Sequence, residues 1–115
     1  MFLNLAHTRP DVYKISQELA LQCNRITKKF PPHERFGFVQ QIRRATTSIH
    51  LNLAEVCSRK SQKERNRYFE MSKGSVPEID SAIGITFKLE YISLEELQPL
   101  GNSIIKTFKL LSGMI

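Results

Sequence analysis

Three groups of residues in this 115-residue chain could do chemistry. The first lies in RRATTSIHLNLAEV, residues 43–56, where Arg44 stands six positions before His50. An imidazole and a guanidinium brought to one phosphodiester could activate a ribose hydroxyl and steady the phosphate. In the same stretch Arg44, Ser48, Asn52 and Glu55 form a polar stripe beside an apolar one, Ala45, Ile49, Leu53 and Val56. The second group is SRKSQKERNR, residues 58–67, with Arg59, Lys60, Lys63, Arg65 and Arg67 against a single acid. Cationic groups beside a helix N-terminus offer phosphate both charge and free backbone N–H donors, and arginine suits bidentate contact. Arg43 is a further candidate for phosphate contact. The third group, Ser75, Glu78 and Asp80, supplies a hydroxyl and two carboxylates that could hold a desolvated Arg44.

Other chemistries find no footing. His7, His33 and His50 are scattered, Cys23 and Cys57 are far apart, and no carboxylate pair has ligand spacing, so no metal is expected. No glycine-rich phosphate loop follows a strand, so no nucleotide cofactor is expected either.

The elements that must position these groups are helices. Thr8-Arg9-Pro10-Asp11 reads as an N-cap hydroxyl, a first-turn proline and an acid, followed by Val12, Ile15, Leu19, Cys23, Ile26 and Phe30 at three- and four-residue steps. Pro31-Pro32 stops this helix and opens a second, from about His33 to Cys57. Ser61-Gln62-Lys63-Glu64 is a capping box for a third, through about Leu89. Ser93-Leu94-Glu95-Glu96 opens a fourth, with Leu97, Leu100, Ile104, Phe108 and Leu111 as its core stripe. Pro77 interrupts the third pattern. Because Tyr68, Ser75, Ile79, Ala82, Thr86 and Leu89 stay in phase across it, a kinked continuous helix is expected rather than a restart. Pro99 raises the same question in the fourth. With no period-two alternation and connections of a few residues, the sequence implies an all-α, antiparallel up-down-up-down four-helix bundle, about 8–30, 32–57, 61–89 and 93–113, as one domain over 1–115.

Charge is unevenly placed. Residues 25–67 carry eleven basic residues against three acidic, a surplus of eight where the whole chain has +6. Such asymmetry suits a surface facing a polyanion; the plainer reading is a solvated basic face. No apolar run is long enough to span a bilayer, and MFLNLAHTRP lacks the basic start and apolar length of a signal peptide. A cytoplasmic location with two buried free thiols is therefore expected.

On a helical wheel Ile42, Ala45, Ile49, Leu53 and Val56 fill one wedge, Asn52, Gln41, Ser48, Glu55 and Arg44 the next, and Leu51 and Ala54 lie beyond. A polar arc between apolar wedges fits an interior or interface network better than a solvent face. Arg44 and Glu55 are too far apart to touch, so Ser75, Glu78 or Asp80 on the third helix is the expected partner. Leu51 and Ala54, with Phe36 and Phe38, give the second helix more apolar surface than one core needs.

QQIRRATTSIHLNLAEVCSRKS and ERNRYFEMSKGSVPEID together resemble the four-helix-bundle family named for proteins encoded in intervening sequences of bacterial 23S ribosomal RNA. That family includes the accessory variability protein of diversity-generating retroelements. The correspondence runs through Arg44-Ala45, Ser48-Ile49, Asn52-Leu53-Ala54-Glu55, Arg59-Lys60-Ser61, and Gly74-Ser75 with Glu78 and Asp80. Val56 departs from the family's glycine, so the second helix should run on through Cys57. The resemblance implies a homo-oligomer, a ring-like pentamer, acting as a non-enzymatic accessory or scaffold. Its implied partners are copies of itself, RNA or DNA, and a reverse transcriptase or another nucleic-acid enzyme. Two other readings stay open. Arg43 stands seven before His50 and so on one face with it, and Arg44-x5-His50 resembles the Arg/His motif of HEPN-type ribonucleases, which are helical bundles needing no metal. A purely structural assembly without a polyanion ligand is the third.

Overall fold

The computed structural model describes residues 2–3 and 9–114. Four long helices account for most of it: α1 Pro10–Thr27, α2 Gln40–Ser58, α3 Gln62–Lys88 and α4 Leu94–Ser112. Among the described residues there is no strand. Each helix packs on its neighbours in sequence, and α4 closes the set against α1.

Side-chain contacts show which ends lie together. At one end Phe30, just after α1, packs at a tilt against Tyr91, just before α4, with centroids 5.3 Å apart. The Tyr91 hydroxyl donates to Glu34 Oε2 at 2.9 Å, and Lys29 pairs with Glu96 in the first turn of α4. At the other end Arg9 Nη1 reaches Met114 Sδ at 3.2 Å. The end of α1 and start of α2 thus meet the end of α3 and start of α4, the arrangement short connections impose on a four-helix bundle.

The core is the inner stripe of each helix. Leu19, Cys23, Ile42, Ile49, Ile79, Leu100 and Leu111 are almost wholly removed from water. Two expected core residues stand at its margin instead: Leu89 is 47% exposed and Phe108 38% exposed, the latter beneath the Lys73 ammonium at 5.4 Å. Cys23 is fully buried and burial pushes its thiol up to about 12, whereas Cys57 is only half-buried.

The helix ends follow their caps. Ser93 and Glu96 form the complete capping box of α4, and Ser61 Oγ accepts from the Glu64 N–H at 3.1 Å to start α3. Thr8 lies outside the described residues; α1 starts after Arg9, which makes no capping side-chain bond. At the end of α3, Glu90 takes the left-handed conformation at φ 67°. The Tyr91 and Glu90 N–H groups then close onto the carbonyls of Thr86 and Phe87.

The second helix departs from its expected start near His33. A 3-10 turn, Pro32–Glu34, and a π turn, Arg35–Val39, precede α2, and Gly37 is non-helical at φ −106°, ψ −112°. Glu34 Oε1 accepts from Phe38 N–H at 3.5 Å and supports the chain across this kink. α3 passes through Pro77 without a break, and α4 through Pro99, so no restart occurs at Ser75. With valine at position 56, α2 continues to Ser58 and Arg59 is extended at φ −88°, ψ 138°.

Candidate functional site

The crossover between α2 and α3 comprises Arg59, Lys60 and the Ser61 cap. A helix end leaves carbonyls without partners, and at this crossover one arginine donates to backbone carbonyls while another pairs with a carboxylate. Arg65, in the first turns of α3, turns back: Nη1 donates to the carbonyls of Lys60 at 2.9 Å and Arg59 at 3.2 Å, and Nη2 to Gln62 Oε1 at 3.0 Å. Arg59 pairs with Glu55 one turn earlier, which raises its pKa, and lies 4.8 Å from the centre of the Tyr68 ring. These two expected phosphate ligands are therefore occupied in shaping the connection. Lys60 and Lys63 are exposed and, among the described residues, make no side-chain hydrogen bond or ion pair. Arg67 is also exposed, its guanidinium 6.0 Å from the centre of the Tyr68 ring.

Arg43 lies elsewhere. It sits in the seam between α1 and α2, where Nε donates to Thr27 Oγ1 at 3.0 Å and Nη2 to the Asn24 carbonyl at 3.4 Å. His50, two turns further along, faces the same helix. Its Nδ1 is 2.8 Å from Oγ of the buried Ser16, and its ring lies 4.2 Å from that of Tyr13. Burial lowers its pKa. Arg44 points away from this seam, so the structure does not bring Arg44 and His50 into one site.

The polar arc divides into three. Ser48, Asn52 and Ser75 come together: Asn52 Nδ2 donates to the Ser48 carbonyl at 2.8 Å and to Ser48 Oγ at 3.1 Å, and Ser75 Oγ reaches Ser48 Oγ at 3.3 Å. Ser72 deepens this α2–α3 clip by donating to the Ile49 carbonyl at 2.8 Å in full burial. Sequence reasoning missed Ser72; its phase with Val76 and Ile79 on the inner stripe was the available signal. Glu55 belongs to Arg59. The remaining expectation fails within this chain: Arg44, Glu78 and Asp80 are all exposed, and none forms an ion pair among the described residues. The arc lies on the rim of the bundle, so Arg44 projects beyond the reach of α3 and stays hydrated.

A feature signalled in the sequence only by the surplus apolar residues of the second helix lies along the outer side of α2. An open groove of ≈ 650 Å³ runs across the Gly37 kink and is lined by Arg35, Phe36, Arg43, Arg44 and Leu51 among others. Phe36 is 81% exposed and Leu51 58% exposed, whereas Phe38 and Ala54 are half-buried. Among the described residues no three His, Cys, Asp or Glu side chains cluster to hold a metal ion, and no helix is long and apolar enough to cross a membrane.

Four helices packed in a ring, with small hydroxyl residues clipping α3 to α2 and a basic second crossover, define a class of small all-α bundle protein. Residues 8–113 match the family described as 23S rRNA-intervening sequence protein, and the chain belongs to that family. Its fold is similar to the crystal structure of a protein with unknown function from the S23 ribosomal protein family of Bacteroides thetaiotaomicron VPI-5482. The two share 23% identity over 90% of this chain and 94% of the other, with a TM-score of 0.82. No curated protein matches the sequence.

Proposed function

We propose that this chain is a non-enzymatic, self-associating bundle, an accessory or scaffold protein that binds nucleic acid, or an enzyme acting on it, through a basic surface. The observation that carries the reading is the fate of the central charge surplus. Of the residues in that segment, Lys29, Arg43, Arg59 and Arg65 are engaged within the fold, while Arg44, Lys60 and Lys63 are exposed without partners among the described residues. Exposed cations that stabilise nothing internally are available to release counterions from a phosphate backbone.

Self-association, with a pentameric ring as the proposed form, draws on the apolar surface. Leu21, Ile85, Leu94 and Ile105 are each at least half exposed, on α1, α3 and α4. Side chains of that size left in water favour burial against another molecule. Light scattering on the purified protein should give a multiple of the 13.3 kDa chain mass; a monomer at all concentrations removes this part of the reading.

Gel-shift titration with RNA and DNA across a salt series tests the basic surface. Two to four phosphate contacts should make the logarithm of affinity fall with that of salt with a slope of about −2 to −4. Affinity indifferent to salt is the opposing result. The ribonuclease reading is the less favoured one, because His50 is turned into the α1–α2 seam against Ser16 and Arg43, the arginine that shares its face, is bonded to Thr27 and the Asn24 carbonyl. RNA cleaved by the wild type and left intact by His50→Ala would restore it.

A further inference from the structure

We infer that the groove along the outer side of α2 is a binding site for single-stranded nucleic acid, with Phe36 as a base-stacking platform and Arg35 and Arg44 as its phosphate contacts. The inference rests on the basic-surface reading above and assigns it a location distinct from the second crossover. Three observations carry it. First, the groove is lined by three arginines, Arg35, Arg43 and Arg44, and by no acidic side chain, so its charge complements a polyanion. Second, Phe36 is 81% exposed at its mouth, a position that core packing does not explain. Third, the Arg35 guanidinium lies 5.3 Å from the centre of that ring. A cation held beside an exposed aromatic face is what a base and its neighbouring phosphate require of a protein: stacking on one group, charge neutralisation on the other.

The kink explains how the site forms. In an uninterrupted helix Phe36 would continue the row of α2, but the non-helical Gly37 places residues 35 and 36 on a separate turn, and the groove is lined from both sides of it. From Gln40 to Leu51 the helix rises roughly 17 Å, enough to follow a few nucleotides. Arg43 narrows the groove floor while its own donors hold Thr27 and Asn24, leaving Arg35 and Arg44 as the movable cations. A duplex, whose bases are stacked internally, gains nothing from Phe36. Single-stranded and double-stranded probes are thereby separated.

The test uses the full chain with fluorescein-labelled 20-nucleotide oligouridylate, oligothymidylate and a blunt duplex of the same length, read by anisotropy. Phe36→Ala should weaken binding of the single strands about tenfold, leave the duplex unchanged and leave the salt slope intact. Arg44→Ala should weaken all probes by several-fold and reduce the slope by about 1. The double variant Lys60→Ala/Lys63→Ala reports on the crossover. If the wild type binds no probe, the basic-surface reading itself fails and this inference with it. If the wild type binds, the crossover variant loses binding and both groove variants behave as wild type, the reading stands and the groove is overturned. A drop in the free protein's mass on Phe36→Ala also overturns it, because the face is then a contact between copies. Both groove side chains are exposed, so unchanged melting curves establish that each variant folds.

Discussion

On the side of α2 that faces α1, Arg43 and His50 are both bonded across the seam, Arg43 to Thr27 and the Asn24 carbonyl, His50 to Ser16. On the outer side, one residue further along the chain, Arg44 meets only solvent and the groove with Phe36 and Leu51. The two sides share residue types and differ in what the neighbouring helix presents. α1 ends at the seam with a buried threonine whose hydroxyl donates to Cys23 O and so has a lone pair free for Arg43. Nothing comparable faces outward. A basic residue in this fold is structural where a helix end supplies acceptors and available where none does. The same division recurs at the second crossover, where Arg59 and Arg65 are engaged within the fold and Lys60 and Lys63 are not.

The largest effect expected from this contrast is on stability. Arg43→Ala removes two bonds from a half-buried guanidinium and leaves the buried Thr27 hydroxyl with one partner fewer. Unfolding in urea should show a loss of about 1–2 kcal/mol, against a change within about 0.5 kcal/mol for Arg44→Ala. In nucleic-acid binding the order should reverse, Arg44→Ala having the larger effect at matched folded fraction. Equal losses of stability in the two variants would erase the distinction between the sides.

Much of this organisation was legible in the sequence, and the exceptions have physical causes. Ile42, Ala45, Ile49, Leu53 and Val56 read as one buried wedge and are one, because a 3.6-residue period leaves little choice once the helix forms. The Ser93 box is equally local: donor and acceptor lie within four residues. The persistence of α3 through Pro77 followed from a stripe that stays in phase on both sides of it. Arg43 and Arg44 were harder. They differ by about 100° around one helix, both border the apolar wedge, and only the position of α1 decides which is engaged. Arg44 was expected in an interior or interface network, and among the described residues of this chain it has no partner for that reason. The Gly37 kink was also hidden, since a single glycine between aromatic residues fits a helix start as well as a break. Its consequence, an exposed Phe36 among arginines, could not be read from residues 58–67, where the basic run has no aromatic before Tyr68.

A smaller effect sharpens the inner side. Burial holds the His50 imidazole below its ordinary 6.5 in the folded chain, so on acidification the unfolded chain takes up this proton first. The stabilisation from neutral His50 is complete above that ordinary value and is lost as pH falls from it toward the folded pKa. The urea midpoint should therefore fall between pH 7.5 and 5.5, and His50→Gln should flatten that fall while costing about 1 kcal/mol at pH 7.5 through the weaker contact with Ser16 and Tyr13. An identical slope in the variant would mean that the seam is open to water and not different in kind from the outer side.

The smallest effect belongs to an engaged cation at the far end of the bundle, where Lys29 pairs with Glu96 although its side chain is 64% exposed. Lys29, with the Ser93 cap behind it, lowers the Glu96 carboxyl to about 2 from an ordinary 4.5. The stability this supplies is present above pH 4.5 and lost as pH falls toward about 2, because the unfolded chain protonates first. Exposure and salt limit such a pair to under about 1 kcal/mol. Lys29→Ala should raise the carboxyl's pKa and flatten the acid limb of Tm between pH 4.5 and 2.5, leaving the neutral-pH behaviour of His50 untouched. An acid limb unchanged by the substitution would move Lys29 to the other side of the comparison, among the cations available to a ligand, and would extend the basic surface around the end of α1 toward Arg35.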